Sequence, residues 1–270
     1  MNLKPVLLLT LLGLLAGADS LRADGAGLPP ADEVLKKFLE RAKWADTQNF
    51  RGKYVCRERR VTEELNDKGS VAERKEQLFE VKPIGGKPFA RLVQSNGKPL
   101  TPKEQLLQEE KEKKFRERLA EKKPPADGRK ELKIDQSIVS RYHFAVARRD
   151  IINGRPALLL TFKPRPNLPE TTMEDKFLNR MSGEAWIDEQ EYELARLEVR
   201  LQESVGILAG ILGALQKMVF IIEQQRLPDG VWLPGRSAGE VHARKLFSLS
   251  RTKFLGQWSD FRRVEGVTLP

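Results

Sequence analysis

Cysteine is nearly absent: Cys56 is the only one in 270 residues. No internal disulfide can form, so stability has to come from apolar burial and backbone hydrogen bonding. Cys56 alternates with charged neighbours in the strand-like stretch 50–61, which reads as a small buried residue ahead of a reactive thiol. Histidine is almost as scarce, with only His143 and His242. Catalytic signatures are missing too: there is no G-x-S-x-G elbow, no P-loop, no H-E-x-x-H and no cysteine pair. Each histidine sits in a strand-like run, where a partly buried structural role outweighs that of a lone base. Glu184, Asp188 and Glu240 could meet in space for glycoside hydrolysis, but acidic residues at strand ends are ordinary and no spacing argument joins them. An exported hydrolase built on them or on His143 therefore ranks last among the function classes. No metal or cofactor is expected.

Long apolar runs are few, one at the start and one at 205–215. Lys4 precedes an apolar run from Val6 to Leu15, and the small residues Ala16-Gly17-Ala18 follow it, the pattern that a signal peptidase cuts. A bilayer-spanning helix needs roughly 20 residues, so residues 1–18 read as a cleavable export signal and not as an anchor. No cysteine adjoins the cut to carry a lipid. The mature chain would begin near Asp19 and act in the periplasm as a monomer, with 19–30 a linker, 31–264 one domain and 265–270 a tail.

Negative charge is in deficit: 48 Lys and Arg against 38 Asp and Glu leave a formal charge of +10. The excess is dispersed, with no arginine-rich block and no aromatic RNA-binding motif, so nucleic acid is not an expected partner. A basic exterior suits an anionic membrane surface, an acidic partner or plain solubility.

What is present is a helix followed by strands. Val34, Leu35, Phe38, Leu39, Ala42 and Ala45 recur at spacings of three and four, which predicts a helix over 31–45 with one apolar stripe. Asp32 and Glu33 suit its positive N-terminal end. Beyond Phe50, Gly85-Gly86, Asn96-Gly97, Asn153-Gly154 and Asp229-Gly230 mark tight turns between β-branched and aromatic runs. Strands are expected at 142–152 and 155–162, at 183–188 and 194–201, at 218–227, at 240–249 and at 253–264. In 194–201, Ala195, Leu197, Val199 and Leu201 alternate with mostly charged residues. The expected fold is mostly β with accessory helices: a curved antiparallel sheet that wraps an apolar interior.

Two segments break the rhythm. Residues 103–123 are almost all Glu, Lys, Arg, Gln and Leu between prolines, a solvated helix with a thin stripe of Leu107, Phe115 and Leu119 and with Leu106 alongside. It is either a movable cover or a polar excursion. Residues 205–215 are apolar and glycine-rich, and Ile207, Leu208, Ile211 and Leu212 make them either a buried plug or a flap that touches lipid. Trp186, Trp232 and Trp258 suit the core or the lining of an apolar site.

Gly183-Glu-Ala-Trp-Ile-Asp188 running into Leu194-Ala-Arg-Leu-Glu198, then Asp229-Gly-Val-Trp-Leu-Pro234 and Gln257-Trp-Ser-Asp-Phe-Arg-Arg263, together with the leading helix, resemble the periplasmic outer-membrane lipoprotein carriers, LolA-like and LolB-like. The likeness spans about Asp32 to Val264. It implies an unclosed β-barrel covered by helices, whose apolar cavity receives acyl chains of lipoproteins or related lipids, without catalysis. A membrane-associated donor or acceptor protein would then be a partner. On this reading Trp186, Ala195, Leu197, Val199, Leu201, Phe220 and Ile222 line the lipid site, and 103–123 and 205–215 supply the lid or flap. The resemblance also admits a periplasmic sensor of lipid or of mislocalised lipoprotein, or an interaction module that binds a membrane-associated partner through the charged helix.

Overall fold

The computed structural model describes residues 27–121, 134–207, 213–245 and 248–264. Its strands are β1 (Tyr54–Leu65), β2 (Val71–Ile84), β3 (Lys87–Ser95), β4 (Lys98–Pro99), β5 (Tyr142–Ile152), β6 (Arg155–Pro164), β7 (Met181–Asp188), β8 (Leu194–Leu201), β9 (Val205–Ile207), β10 (Gly213–Arg226), β11 (Trp232–Lys245) and β12 (Ser248–Arg263). They form one antiparallel sheet in the order β4-β3-β2-β1-β12-β11-β10-β8-β7-β6-β5, with β9 beside β10. β4 and β5 stand at opposite ends of that order, so the sheet is unclosed. Helices α1 (Ala31–Gln48), α2 (Pro102–Ala120), α3 (Gln136–Val139) and α4 (Met173–Leu178) are laid against it. None of the described helices is long and apolar enough to cross a membrane. The proposed export signal lies outside the described residues.

α1 forms where the apolar spacing predicts it. The Pro30 carbonyl accepts from the N–H groups of Glu33 and Val34, and Asn49 ends the helix in a left-handed conformation at φ 48°. Val34, Leu35 and Phe38 are buried against Leu158 and Leu160 of β6, Ala185 and Ile187 of β7, and Leu194. Each such side chain removed from water contributes about 1.5–3 kcal/mol. α1 also shows that the sheet is bent. It packs near β5, and at its end Asn49 Nδ2 donates to the Gly86 carbonyl in the β2–β3 turn at 2.8 Å. In a flat sheet, eight strand spacings would separate β5 from β2, about 38 Å. An 18-residue helix is only about 27 Å long, so the sheet curls to meet both of its ends.

All four predicted turns join strands, and Asn96, Asn153 and glycines 85, 86, 97, 154 and 230 take the positive φ those turns require. Three expectations need correction. β11 runs Trp232–Lys245 rather than 240–249, because the small polar run Pro234-Gly-Arg-Ser-Ala-Gly239 is held as strand by pairing with both β10 and β12. β12 correspondingly begins at Ser248. The apolar segment 205–215 is strand at both ends, Val205 pairing with Leu215 and Ile207 with Gly213. Its Leu208, Ile211 and Leu212 lie outside the described residues, as does the end of the charged segment 103–123.

Candidate functional site

The registers place the residues of one sheet face in two rows. The first runs Val146–Leu160–Ala185–Leu197–Ile222–Ser237–Gly256–Arg60 across β5, β6, β7, β8, β10, β11, β12 and β1. The second runs Phe144–Phe162–Gly183–Val199–Phe220–Gly239–Phe254–Thr62 across the same strands. α1 covers the start of the first row, where Leu160 is 0 % exposed. Beyond Leu197 that cover ends, and Val199, Leu201, Met218, Phe220, Ile222 and Phe254 are only half-buried. An apolar strip with no helix packed on it among the described residues has the character of a binding surface.

Glycines shape the second row. A Cβ on Gly239 would lie 2.2 Å from Phe254 Cζ, and one on Gly183 would lie 2.8 Å from Phe162 Cζ. Each ring therefore leans over the bare backbone of the neighbouring strand, and Phe220 and Phe254 meet above Gly239 with centroids 5.6 Å apart. The result is a smooth aromatic stretch of sheet.

Of the seven residues singled out for the lipid site, five share this face: Leu197, Val199, Leu201, Phe220 and Ile222. Trp186 does not. It pairs with Arg196, stands on the other face, and donates its indole N–H to Asp150 at 3.0 Å. Ala195 is buried at a bulge in β8, between the registers of Leu194 and Arg196. Met218 and Phe254 belong to the strip but carried no signal beyond lying in predicted strands. On α2, Phe115 packs on Phe89 of β3 with centroids 5.1 Å apart and Leu119 approaches Gly85, while Leu107 and Leu106 are 47 % and 66 % exposed. Phe89 pairs with Lys82, on the face opposite α1, so the described part of α2 lies away from the strip. Ile207 closes β9.

The turn between β7 and β8 holds these elements together. Its Asp188 is 1 % exposed, accepts two hydrogen bonds from Arg155 at 2.6 and 3.0 Å, and accepts the N–H groups of Gln190 and Glu191. Glu189 pairs with Arg149 of β5, and Glu191 with Arg226 of β10 and with the Trp232 indole N–H. Glu193 takes Arg41 of α1 at 2.7 Å, and the Tyr192 hydroxyl accepts from Lys37. Burial alone would raise the Asp188 carboxyl, but the Arg155 guanidinium and the two backbone donors hold it below its ordinary range.

Glu193 goes the other way: burial pushes its carboxyl above the ordinary 4.5, and Arg41 offsets only part of that. The folded chain thus holds this proton more tightly than the unfolded chain does. The stability it contributes is complete below 4.5 and is lost as pH rises through the higher native value. Urea midpoints measured from about pH 4 to about pH 8 should therefore fall less steeply in Glu193→Gln than in the parent chain. Equal slopes would show that Glu193 does not titrate in this way.

The chemistry at the other candidates is plain. Burial, aided by the Glu58 carboxylate, pushes the Cys56 thiol up to about 11, so it stays protonated at neutral pH. His242 hydrogen-bonds Glu240 on its own strand, and His143 is exposed. Glu184 and Glu240 are three strand spacings apart, about 14 Å, and Glu184 and Asp188 are four residues apart on one strand, about 13 Å. Both gaps exceed the roughly 5–9.5 Å between paired glycosidase carboxylates. Among the described residues no group of three or more His, Cys, Asp or Glu is placed to hold a metal ion. Clefts of about 410 and 340 Å3 open on the sheet, the first lined mainly by polar and charged side chains and the second by charged and apolar residues alike.

No protein-family model and no curated protein matches the sequence. The structure is similar to a domain named for outer-membrane lipoprotein sorting from Vibrio parahaemolyticus, at 14 % identity and a TM-score of 0.36, covering 86 % of this chain and 94 % of that one. It is also similar to a LolA superfamily protein from Nitrosomonas europaea, at 12 % identity and a TM-score of 0.32, covering 88 % and 96 %. A MucA/MucB complex structure from Pseudomonas aeruginosa matches at 10 % identity and a TM-score of 0.24, covering 84 % and 100 %. The chain itself is an unclosed antiparallel sheet with helices laid against it.

Proposed function

We propose that the chain is an exported periplasmic carrier that holds acyl chains of lipoproteins or related lipids along the strip from Leu197 to Phe254, and that it does so without catalysis. The observation that supports this reading is the uncovered continuation of the core row: Leu160 and Ala185 are buried, whereas Leu197 and Ile222 in the same row stay partly open to solvent. An acyl chain laid there completes the burial that α1 begins, at about 0.8 kcal/mol for each methylene removed from water. The half-buried apolar side chains of the strip give several methylenes a surface, and its open side lets the chain leave.

Protein purified from its native compartment should carry lipid detectable by mass spectrometry, and stripped protein should bind a fluorescent fatty acid. Phe220→Asp and Ile222→Asp place a carboxylate where the methylenes would lie and should weaken that probe at least tenfold, about 1.4 kcal/mol. Lipid-free native protein that also ignores the probe would overturn the proposal.

A further inference from the structure

The face turned away from α1 carries a different pattern. Ala238 lies opposite Leu255, and Leu255 opposite Val61, which makes a short apolar floor across β11, β12 and β1. Along one side of it Arg236 stands opposite Gln257, and Gln257 opposite Arg59. Along the other, Lys253 stands opposite Glu63, and Glu63 opposite Arg74. The groove between these rows is the cleft of about 340 Å3, and its charged lining is Arg59, Arg74, Arg236 and Lys253 against Glu63. Four cations and one carboxylate thus line the wall itself, with Glu76, Glu223 and Glu240 flanking them.

Their existing partners leave donors to spare. Arg59 gives its Nε to Glu76 at 2.6 Å and an Nη to Gln257, and Arg74 gives one Nη to Glu76 at 2.7 Å. Glu76 is thus shared between the two guanidiniums, and Glu63 reaches the Arg74 Nε at 3.4 Å. Arg236 reaches Glu223 only at 3.6 Å. A guanidinium carries five N–H donors, so each arginine retains unused donors, and Lys253 adds a compact, exposed charge. Forked guanidiniums beside an ammonium suit the tetrahedral oxygens of a phosphate group. The three apolar side chains beneath suit the first methylenes attached to it.

We infer that this groove binds the phosphate group of an anionic amphiphile, with the start of its apolar stem on Ala238, Leu255 and Val61. It lies on the other face from the acyl strip and does not depend on that reading. Calorimetric titration of the full chain with dihexanoyl phosphatidylglycerol, below its micelle concentration, tests it directly. The double variant Arg236→Gln, Lys253→Gln alters two exposed side chains and should weaken this binding at least tenfold, while the fluorescent fatty acid on the strip binds as before. Phe220→Asp should leave phosphatidylglycerol binding intact. The zwitterionic dihexanoyl phosphatidylcholine should bind at least tenfold more weakly than the anionic lipid, and added salt should weaken the anionic lipid. No binding of dihexanoyl phosphatidylglycerol, or equal affinity in the double variant, would overturn the inference. Inorganic phosphate binding as tightly as the lipid would overturn it also, since the apolar floor would then have no part.

Discussion

Replacing Asp188 by alanine is expected to lower the unfolding free energy by about 3–5 kcal/mol, because it removes the buried member of an ion pair together with the acceptor of two backbone N–H groups. The carboxylate is 1 % exposed and is met by two nitrogens of Arg155 and two backbone N–H groups. Removing it leaves the Arg155 guanidinium only Gln190 at 3.1 Å and the Glu191 carboxylate at 3.7 Å, and orphans the backbone donors that shape the β7–β8 turn. Glu189→Ala, which removes a more exposed partner of Arg149 from the same turn, should cost about 1 kcal/mol or less. Urea unfolding of the two variants side by side checks this. Similar midpoints for Asp188→Ala and the parent chain would show that the turn tolerates the loss.

Phe38→Ala should be nearly as damaging, at about 3–5 kcal/mol. The ring is 6 % exposed in the cluster that joins α1 to β6, β7 and β8, and the neighbouring sheet residues cannot collapse into the space without unpairing strands. Trp44, on the same helix, is 42 % exposed and stacks with Arg41, so Trp44→Ala should cost far less. The contrast separates anchoring of α1 from its helical propensity. If both variants unfold at the same urea concentration, the helix is held by something other than this cluster.

Periodicity revealed α1 and β8 because each has one clean apolar phase, three to four residues in the helix and two in the strand. The hairpin at Asn153-Gly154 was legible because left-handed turn angles select those residues. Elsewhere the phase was ambiguous. Ala185, Trp186 and Ile187 are apolar in succession, so nothing in the sequence tells which of them faces α1, and the register alone puts Trp186 on the far side. Val219, Phe220, Ile221 and Ile222 pose the same difficulty in β10, and Ala195 sits at a bulge, where alternation breaks. The acidic turn at 188–193 gave no sign of its role, since its cationic partners come from α1, β5, β6 and β10, as far as 152 residues away. Only the folded chain brings them together.

The two outermost strands of the sequence, β1 and β12, are neighbours in the interior of the sheet, paired from Tyr54–Arg263 to Leu65–Arg251. The seam that joins β4-β3-β2-β1 to the rest of the sheet is thus stitched by the first and last of the described strands. β1 and β12 must find each other across the whole run of strands between them, a non-local pairing of the kind that slows folding. Trimming either terminal strand would not shave an edge; it would split the fabric down its middle.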